Sequence, residues 1–268
     1  MKVKFHYNHK INADIDTDKP VNVYIDRLPP DNSVPEGSVC IVILEEPFRG
    51  HLYETVNHIQ DRYTHLLTFD DWLLETNPKA QLFQCTNSWV KGYVSPKKQF
   101  SVSTVVGGKS KPTMLGYATR HNLWKCKELI RIPKAFYLSS QTRFQGADYK
   151  NNLVLGKELS GKKVLFDSMF HIAIENTAIG NYFTEKIIDC FQTRTVPVYW
   201  GCTNIGEYFN ADGILKARNV GEIIKICNGL TPEVYENMKE VMEENYKESE
   251  KWCDGHKTII DKVKELIK

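Results

Sequence analysis

MFHIAIENTAIGNYFTEKIIDCFQTRTVPVYWG, residues 169–201, decides the fold. MFHIAIE (169–175) is a continuous apolar run ending on an acid, the pattern of a parallel strand buried on both faces. The loop ENTAIGNY leads to a helix opening near Phe183 or Thr184, where Phe183, Ile187, Cys190 and Phe191 form one stripe able to pack on a sheet. TVPVYWG (195–201) is a second buried strand. Strand, helix and strand within about thirty residues make a βαβ unit with a right-handed crossover. Glu185 and Lys186 lie off the apolar stripe, in the first turn. A helix start behind a parallel strand carries partial positive charge and free N–H groups and suits a diphosphate. Lys186 could add a full charge to that phosphate, and Glu185 could accept from ribose hydroxyls. The alternative is an exposed Glu–Lys pair on a solvated turn.

The same alternation extends outward. Val3, Phe5 and Tyr7 alternate with polar residues; SVCIVIL (38–44), THLLTF (64–69) and AQLFQC (80–85) read as strands, with HLYETVNHIQDRY as a helix between the first two runs. After the polar junction SPKKQ (95–99) come the run FSVSTVV, a helix over 114–130, a strand at FYL (136–138), and charged amphipathic helices over 232–248 and 256–268. The expected architecture is α/β: two Rossmann-like domains with parallel sheets, residues 1–97 and 98–268, the second taking in the C-terminal helices, with a ligand cleft between them.

Composition narrows the function classes. The 268 residues are 41% hydrophobic and 25% charged, ordinary for a globular chain, and Lys plus Arg exceed Asp plus Glu by 35 − 33 = 2. Without a polybasic stretch, nucleic acid is not expected as the main partner. Seven cysteines with no C-x-x-C pair argue against a disulfide framework and a zinc ribbon and predict a reducing compartment. The N-terminal twenty residues have no apolar core of a signal peptide, and CIVIL (40–44) is too short to span a bilayer, so a cytoplasmic location without membrane span is expected.

Three motifs suggest ligand chemistry and are weaker on inspection. DIDTD (14–18) lacks the Gly and Glu of a calcium loop, with Lys19 and Ile25 in their places, and reads as a solvated loop. GGKS (107–110) has Ser103 where Walker A needs its first glycine, leaving a turn that either lines a ligand cleft or is only a turn. His6 and His9 have no third ligand in view and read as surface histidines. No G-x-G-x-x-G occurs, which speaks against a dinucleotide-dependent oxidoreductase.

The segment 169–210 resembles the donor-binding motif of the family 10 glycosyltransferases, the α-1,3/4-fucosyltransferases. That pattern has an F-E-N-like strand end, a short loop with an aromatic residue, T-E-K opening a helix, and a V/I-P-V/I strand ending in glycine. Its counterparts are Ile174-Glu175-Asn176, Tyr182, Thr184-Glu185-Lys186 and Val196-Pro197-Val198-Tyr199-Trp200-Gly201. The likeness covers about forty residues and implies a GT-B fold. It implies that Asn176, Tyr182, Glu185 and Lys186 contact a nucleotide diphosphate sugar. Arg120, in GYATRHNLWK, would be the diphosphate arginine. In the family a carboxylate after a strand of the first domain is the general base; Glu46 is the counterpart favoured here and Glu45 the alternative. The resemblance implies inverting, metal-independent transfer of a sugar, fucose favoured, from GDP-fucose to a hydroxyl of an oligosaccharide or glycoconjugate, with no cofactor. Another donor, such as UDP-xylose, and a non-catalytic sugar- or nucleotide-binding protein are the alternatives. Base choice would fall to loops such as LSSQTRFQG (138–146).

Overall fold

The computed structural model describes residues 1–7, 11, 13–47, 51–95, 97–156 and 159–268. The chain forms two compact units: Met1–Cys85 with Gly180–Tyr182 and Asp254–Lys268, and Thr86–Ile179 with Phe183–Cys253. The division falls earlier than residue 97, and the C-terminal helix goes with the first unit rather than the second.

In the first unit β1 (Lys4–His6), β2 (Val21–Ile25), β3 (Val39–Ile43), β4 (His65–Thr68) and β5 (Ala80–Leu82) form a sheet in sequential order. Every pairing in it is parallel. Helices α1 (Leu52–His58) and α2 (Asp71–Thr76) are its crossovers on one side. All five residues of β3 are buried, and they divide between two faces. Cys40, Val42 and Leu44 pack with Val56, Tyr63 and Leu73. Ile41 and Ile43 pack with Val23, Ile25 and Leu67 and with Ile259 and Val263 from the C-terminal helix. Sequence patterning did not bring out β2, although Val21, Val23 and Ile25 alternate with period two and are buried.

The second unit runs through β6 (Gln99–Val106), α3 (Leu115–Lys125), β7 (Lys134–Ser139), β8 (Leu153–Leu155), β9 (Ser168–Ile174), α4 (Glu185–Gln192), β10 (Val196–Trp200) and β11 (Leu215–Lys216). Three more helices follow: α5 (Val220–Asn228), α6 (Pro232–Asn237) and α7 (Lys239–Ser249). Helix α8 (Gly255–Leu266) then returns the chain to the first unit. The helix expected over 232–248 is two helices, because the chain turns at Met238, whose N–H donates to the carbonyl of Tyr235 at 3.2 Å.

The sheet of the second unit is also parallel, in the order β11-β10-β9-β6-β7-β8. The chain builds outward from β6 through β7 to β8, then returns to place β9 on the other side of β6. The order therefore reverses between β6 and β9. Ligands of open parallel sheets bind at the carboxyl ends of the strands flanking such a reversal. Ile187, Ile188, Cys190 and Phe191 of α4 are fully buried against this sheet. Each large apolar side chain so buried contributes about 1.5–3 kcal/mol, which fixes where the helix begins.

Candidate functional site

Strand β9 ends on Glu175, and this fully buried carboxylate organises the site. Its Oε1 accepts the Thr184 backbone N–H at 2.9 Å, and its Oε2 accepts the Thr184 hydroxyl at 2.7 Å. Thr184 is the N-cap of α4. The loop between β9 and α4 is thus closed by its own first acid. Lys186 donates through Nζ to Thr184 Oγ1 at 2.9 Å and to Glu185 Oε1 at 3.2 Å, and lies 3.5 Å from Glu175 Oε2. Thr184, Glu185 and Lys186 therefore form one hydrogen-bonded cluster at a helix start whose remaining N–H groups point the same way.

A second cation reaches the same strand end. Arg120 lies on α3, and its Nη2 donates to Asn176 Oδ1 at 2.7 Å and to the Glu175 carbonyl at 3.5 Å. Gly116, one turn earlier, donates its N–H to the Asn176 carbonyl at 3.0 Å. A Cβ at Gly116 would stand 1.8 Å from the Glu175 carbonyl oxygen, so only glycine allows α3 this close. Arg120, Asn176, Glu185 and Lys186 lie around the end of β9, beside the reversal between β6 and β9.

The charges tune one another. Burial pushes the Glu175 carboxyl above its ordinary range; Lys186 works against that and Glu185 adds to it. Burial also opposes charge on Glu185, but Lys186 and Lys162 outweigh it and hold that carboxyl below its ordinary range. For Lys186, burial is outweighed by Glu185 and Glu175, which raise it. Asp189, one turn further along α4, is pushed up to about 7 by burial and by Glu185 while accepting from Ser88 Oγ at 2.8 Å and the Trp89 N–H at 2.9 Å. Lys162 lies over the Trp89 ring and is brought down to about 8 by burial.

Tyr182 belongs to the other compact unit, the first. It is buried and packs its ring 5.2 Å from that of Phe69. The neighbouring Asn181, at φ +59°, donates to Asp71 Oδ1 at 2.7 Å. Sequence reasoning missed the central role of Glu175 and passed over Lys162, Asp189 and Gly116. An acid closing an apolar strand and followed nine residues later by Thr-Glu-Lys is the one available signal for Glu175.

In the first unit the turn after β3 holds both candidate bases. Asp26, at the end of β2, accepts the N–H groups of Glu45 and Glu46 on Oδ1 at 2.9 and 3.3 Å, and Tyr53 donates to the Glu46 carbonyl at 3.0 Å. The Glu45 carboxylate accepts from the Tyr7 hydroxyl at 2.8 Å and from the Cys85 thiol at 3.0 Å. Burial, reinforced by Glu45, raises both of those donors, so they stay protonated. The Glu46 side chain is half-buried.

The weaker motifs have structural explanations. The Gly108 N–H is donated to the Thr142 carbonyl at 2.8 Å, and a Cβ there would stand 1.9 Å from the Arg143 carbonyl oxygen. GGKS thus makes a close backbone strap to the 138–146 loop, where Phe144 stacks on His121 at 4.3 Å. Asp14 and Asp16 of DIDTD pair with Lys2 at 2.7 and 2.8 Å on the surface. His6 is half-buried rather than exposed, stacked on Tyr24 and hydrogen-bonded to Asn22; His9 lies outside the described residues. Among the described residues no group of three or more His, Cys, Asp or Glu could hold a metal ion, and no helix is long and apolar enough to cross a membrane. The seven cysteines are free thiols.

The sequence model of the family described as Glycosyltransferase family 10 (fucosyltransferase) C-term matches residues 145–255. This stretch is therefore similar in sequence to the C-terminal part of the family 10 glycosyltransferases. It contains Asn176, Glu185 and Lys186, while Arg120 and Gly116 reach it from α3. The chain is similar to the alpha-(1,3)-fucosyltransferase FucT of Helicobacter pylori, at 32% identity over 117 residues, 42% of this chain. That match spans 24% of the curated relative's length. Over nearly its whole length the fold is similar to a crystal structure of an α1,3-fucosyltransferase with GDP-fucose: TM-score 0.53, 15% identity, 94% of this chain and 79% of that one. The pneumococcal O-GlcNAc transferase GtfA, in complex with UDP and GlcNAc, gives TM-score 0.51 and 14% identity over 92% of this chain and 56% of that one. The fold is of the GT-B class, with two units each built on a parallel sheet.

Proposed function

We propose that the chain is an inverting glycosyltransferase that moves fucose from GDP-fucose to a hydroxyl of a glycan acceptor. The observation that carries the proposal is the meeting of Arg120 and Lys186 on the two sides of one strand end, at the strand-order reversal of a unit whose sequence matches family 10. Lys186, Arg120 and the start of α4 receive the diphosphate, and Glu185 accepts from the ribose hydroxyls. In one displacement the acceptor oxygen bonds to the anomeric carbon while the bond from that carbon to the diphosphate oxygen breaks. Glu46 takes the acceptor's proton and the electron pair leaves on the diphosphate. The two cations lie where that negative charge grows and supply the electrostatic stabilisation, so no metal is assigned.

Glu46 is preferred to Glu45 because each oxygen of Glu45 already accepts a hydrogen bond from a donor held in its protonated form. A UDP-sugar donor is the alternative reading, since Glu185 and Lys186 address ribose and diphosphate, which every nucleotide sugar carries. The deciding experiment is fucose transfer from GDP-fucose in excess chelator, with parallel calorimetric titrations of GDP and UDP. Transfer undiminished by chelator, with GDP the tighter ligand, is expected. Tighter UDP binding would move the assignment to a UDP-sugar enzyme, and loss of transfer restored by manganese would overturn the metal-free scheme. Nucleotide binding without turnover on any acceptor would point to the non-catalytic alternative.

A further inference from the structure

Glu175 is a buried carboxylate that the scheme above does not use. We propose that it is the positioning residue of the diphosphate site and that it takes up one proton from solvent when a nucleotide diphosphate sugar binds; this rests on the donor-site reading given above. The positioning part follows from its contacts. One carboxylate holds both the N–H and the hydroxyl of the cap residue Thr184, and the same hydroxyl receives Lys186 Nζ. The direction of the lysine is thus set through Thr184 by Glu175. Gly201 leaves the room the side chain occupies: a Cβ there would stand 2.4 Å from Glu175 Cγ.

The proton follows from charge. The groups facing Glu175 are Lys186 and Glu185 from α4, the Thr184 cap, the Tyr199 hydroxyl from β10 at 3.5 Å, the buried Cys190 thiol, and Arg120 from α3, which touches its carbonyl. Within the chain itself two carboxylates, Glu175 and Glu185, stand with Lys186 and Arg120, and Lys162 and the protonatable Asp189 act on Glu185 as well. A bound diphosphate adds two negative charges to this group and draws the Lys186 ammonium toward itself. Glu175 then keeps an uncompensated charge in a fully buried position, which is far costlier than protonation. Glu185 keeps its charge through Lys162. Among the described residues Lys186 is the one cation within ion-pair distance of the Glu175 carboxylate, so the proton goes there, and a neutral carboxyl still accepts from Thr184. Burial, which already raises this group, makes the step easier.

The test is calorimetry of GDP-fucose binding at one pH in buffers of different ionisation enthalpy. GDP-fucose is the probe because its diphosphate diester has no proton of its own to release near neutrality. The wild-type protein should show net proton uptake, and its Kd should rise with pH by as much as about tenfold per pH unit where uptake is complete. Glu175→Gln should bind GDP-fucose with no buffer dependence. Thr184→Val, which removes a hydroxyl donated to the carboxylate, should shift the uptake to higher pH, and it decides the assignment if Glu175→Gln does not fold. Binding by the wild type without proton uptake overturns the inference and leaves the proposed function standing, as does unchanged uptake in Glu175→Gln, or in Thr184→Val should the Gln variant not fold. Absence of GDP-fucose binding overturns the donor-site reading itself.

Discussion

Both units end a buried parallel strand on an acid, and the two acids have been given opposite surroundings. After β9, Glu175 is sealed from water, fixed to a helix cap and faced by Lys186. After β3, Glu46 is half-buried, with its backbone clamped by Asp26 and Tyr53. The sheets around them differ as well: strand order is sequential in the first unit and reverses in the second. The reversal lets two helices, α3 and α4, deliver a cation each to one strand end, which a sequential order does not do. One strand-end carboxylate is thus tied through both oxygens to a helix cap beside a lysine, while at the other strand end the bonds from Asp26 and Tyr53 hold the backbone; in the proposed scheme the first orients Lys186 and the second takes the acceptor's proton.

The largest expected effect tests the acceptor side of this contrast. Glu46→Gln keeps the shape but takes no proton, and turnover should fall by about 10²–10⁴-fold with donor affinity unchanged, read by steady-state kinetics and calorimetry. Glu45→Gln should cost less; if it costs more, the base is Glu45 and its bonds to Tyr7 and Cys85 are part of the chemistry. Next in size is Lys186→Ala, which deletes a charge on the diphosphate. A charge-assisted hydrogen bond is worth about 1.5–3 kcal/mol, so GDP-fucose binding should weaken by roughly 10- to 150-fold, with transfer falling in parallel. An unchanged Kd would reduce the Thr184–Lys186 cluster to a helix cap.

The smallest effect concerns stability and sharpens the account of α4. Asp189 titrates at about 7 in the folded chain, above its unfolded value, so the stability linked to its proton is present in acid and lost as pH rises through about 7. Asp189→Asn keeps an acceptor for Ser88 and Trp89 and loses the titration. Thermal midpoints of variant and wild type, compared from about pH 5 to about pH 8, should show the variant gaining as pH rises. A constant difference would mean that Asp189 is not held protonated.

Periodicity made β3, β9, α4 and β10 legible, because a strand buried on both faces and a helix with one apolar stripe leave direct marks in the sequence. It failed at β2, whose five residues follow the polar DIDTDKP and are too few to stand out. At the site, Glu185 and Lys186 could be read from their place in a first turn. The role of Glu175 could not, since a carboxylate capping a helix nine residues downstream is a contact across a loop, invisible to local pattern. The packing of Tyr182 on Phe69 was hidden for the same reason: motif order says where a residue lies along the chain, and which unit the loop tip joins is a matter of tertiary packing.

Gly116 bears on where Arg120 stands. Where α3 meets the end of β9, two main chains touch directly, and Arg120 returns its Nε–H to the Gly116 carbonyl at 3.1 Å. A larger residue at 116 would lever the helix off the strand and carry the arginine's anchor away from Asn176 with it, so the smallest side chain in the region governs the placing of one of the longest.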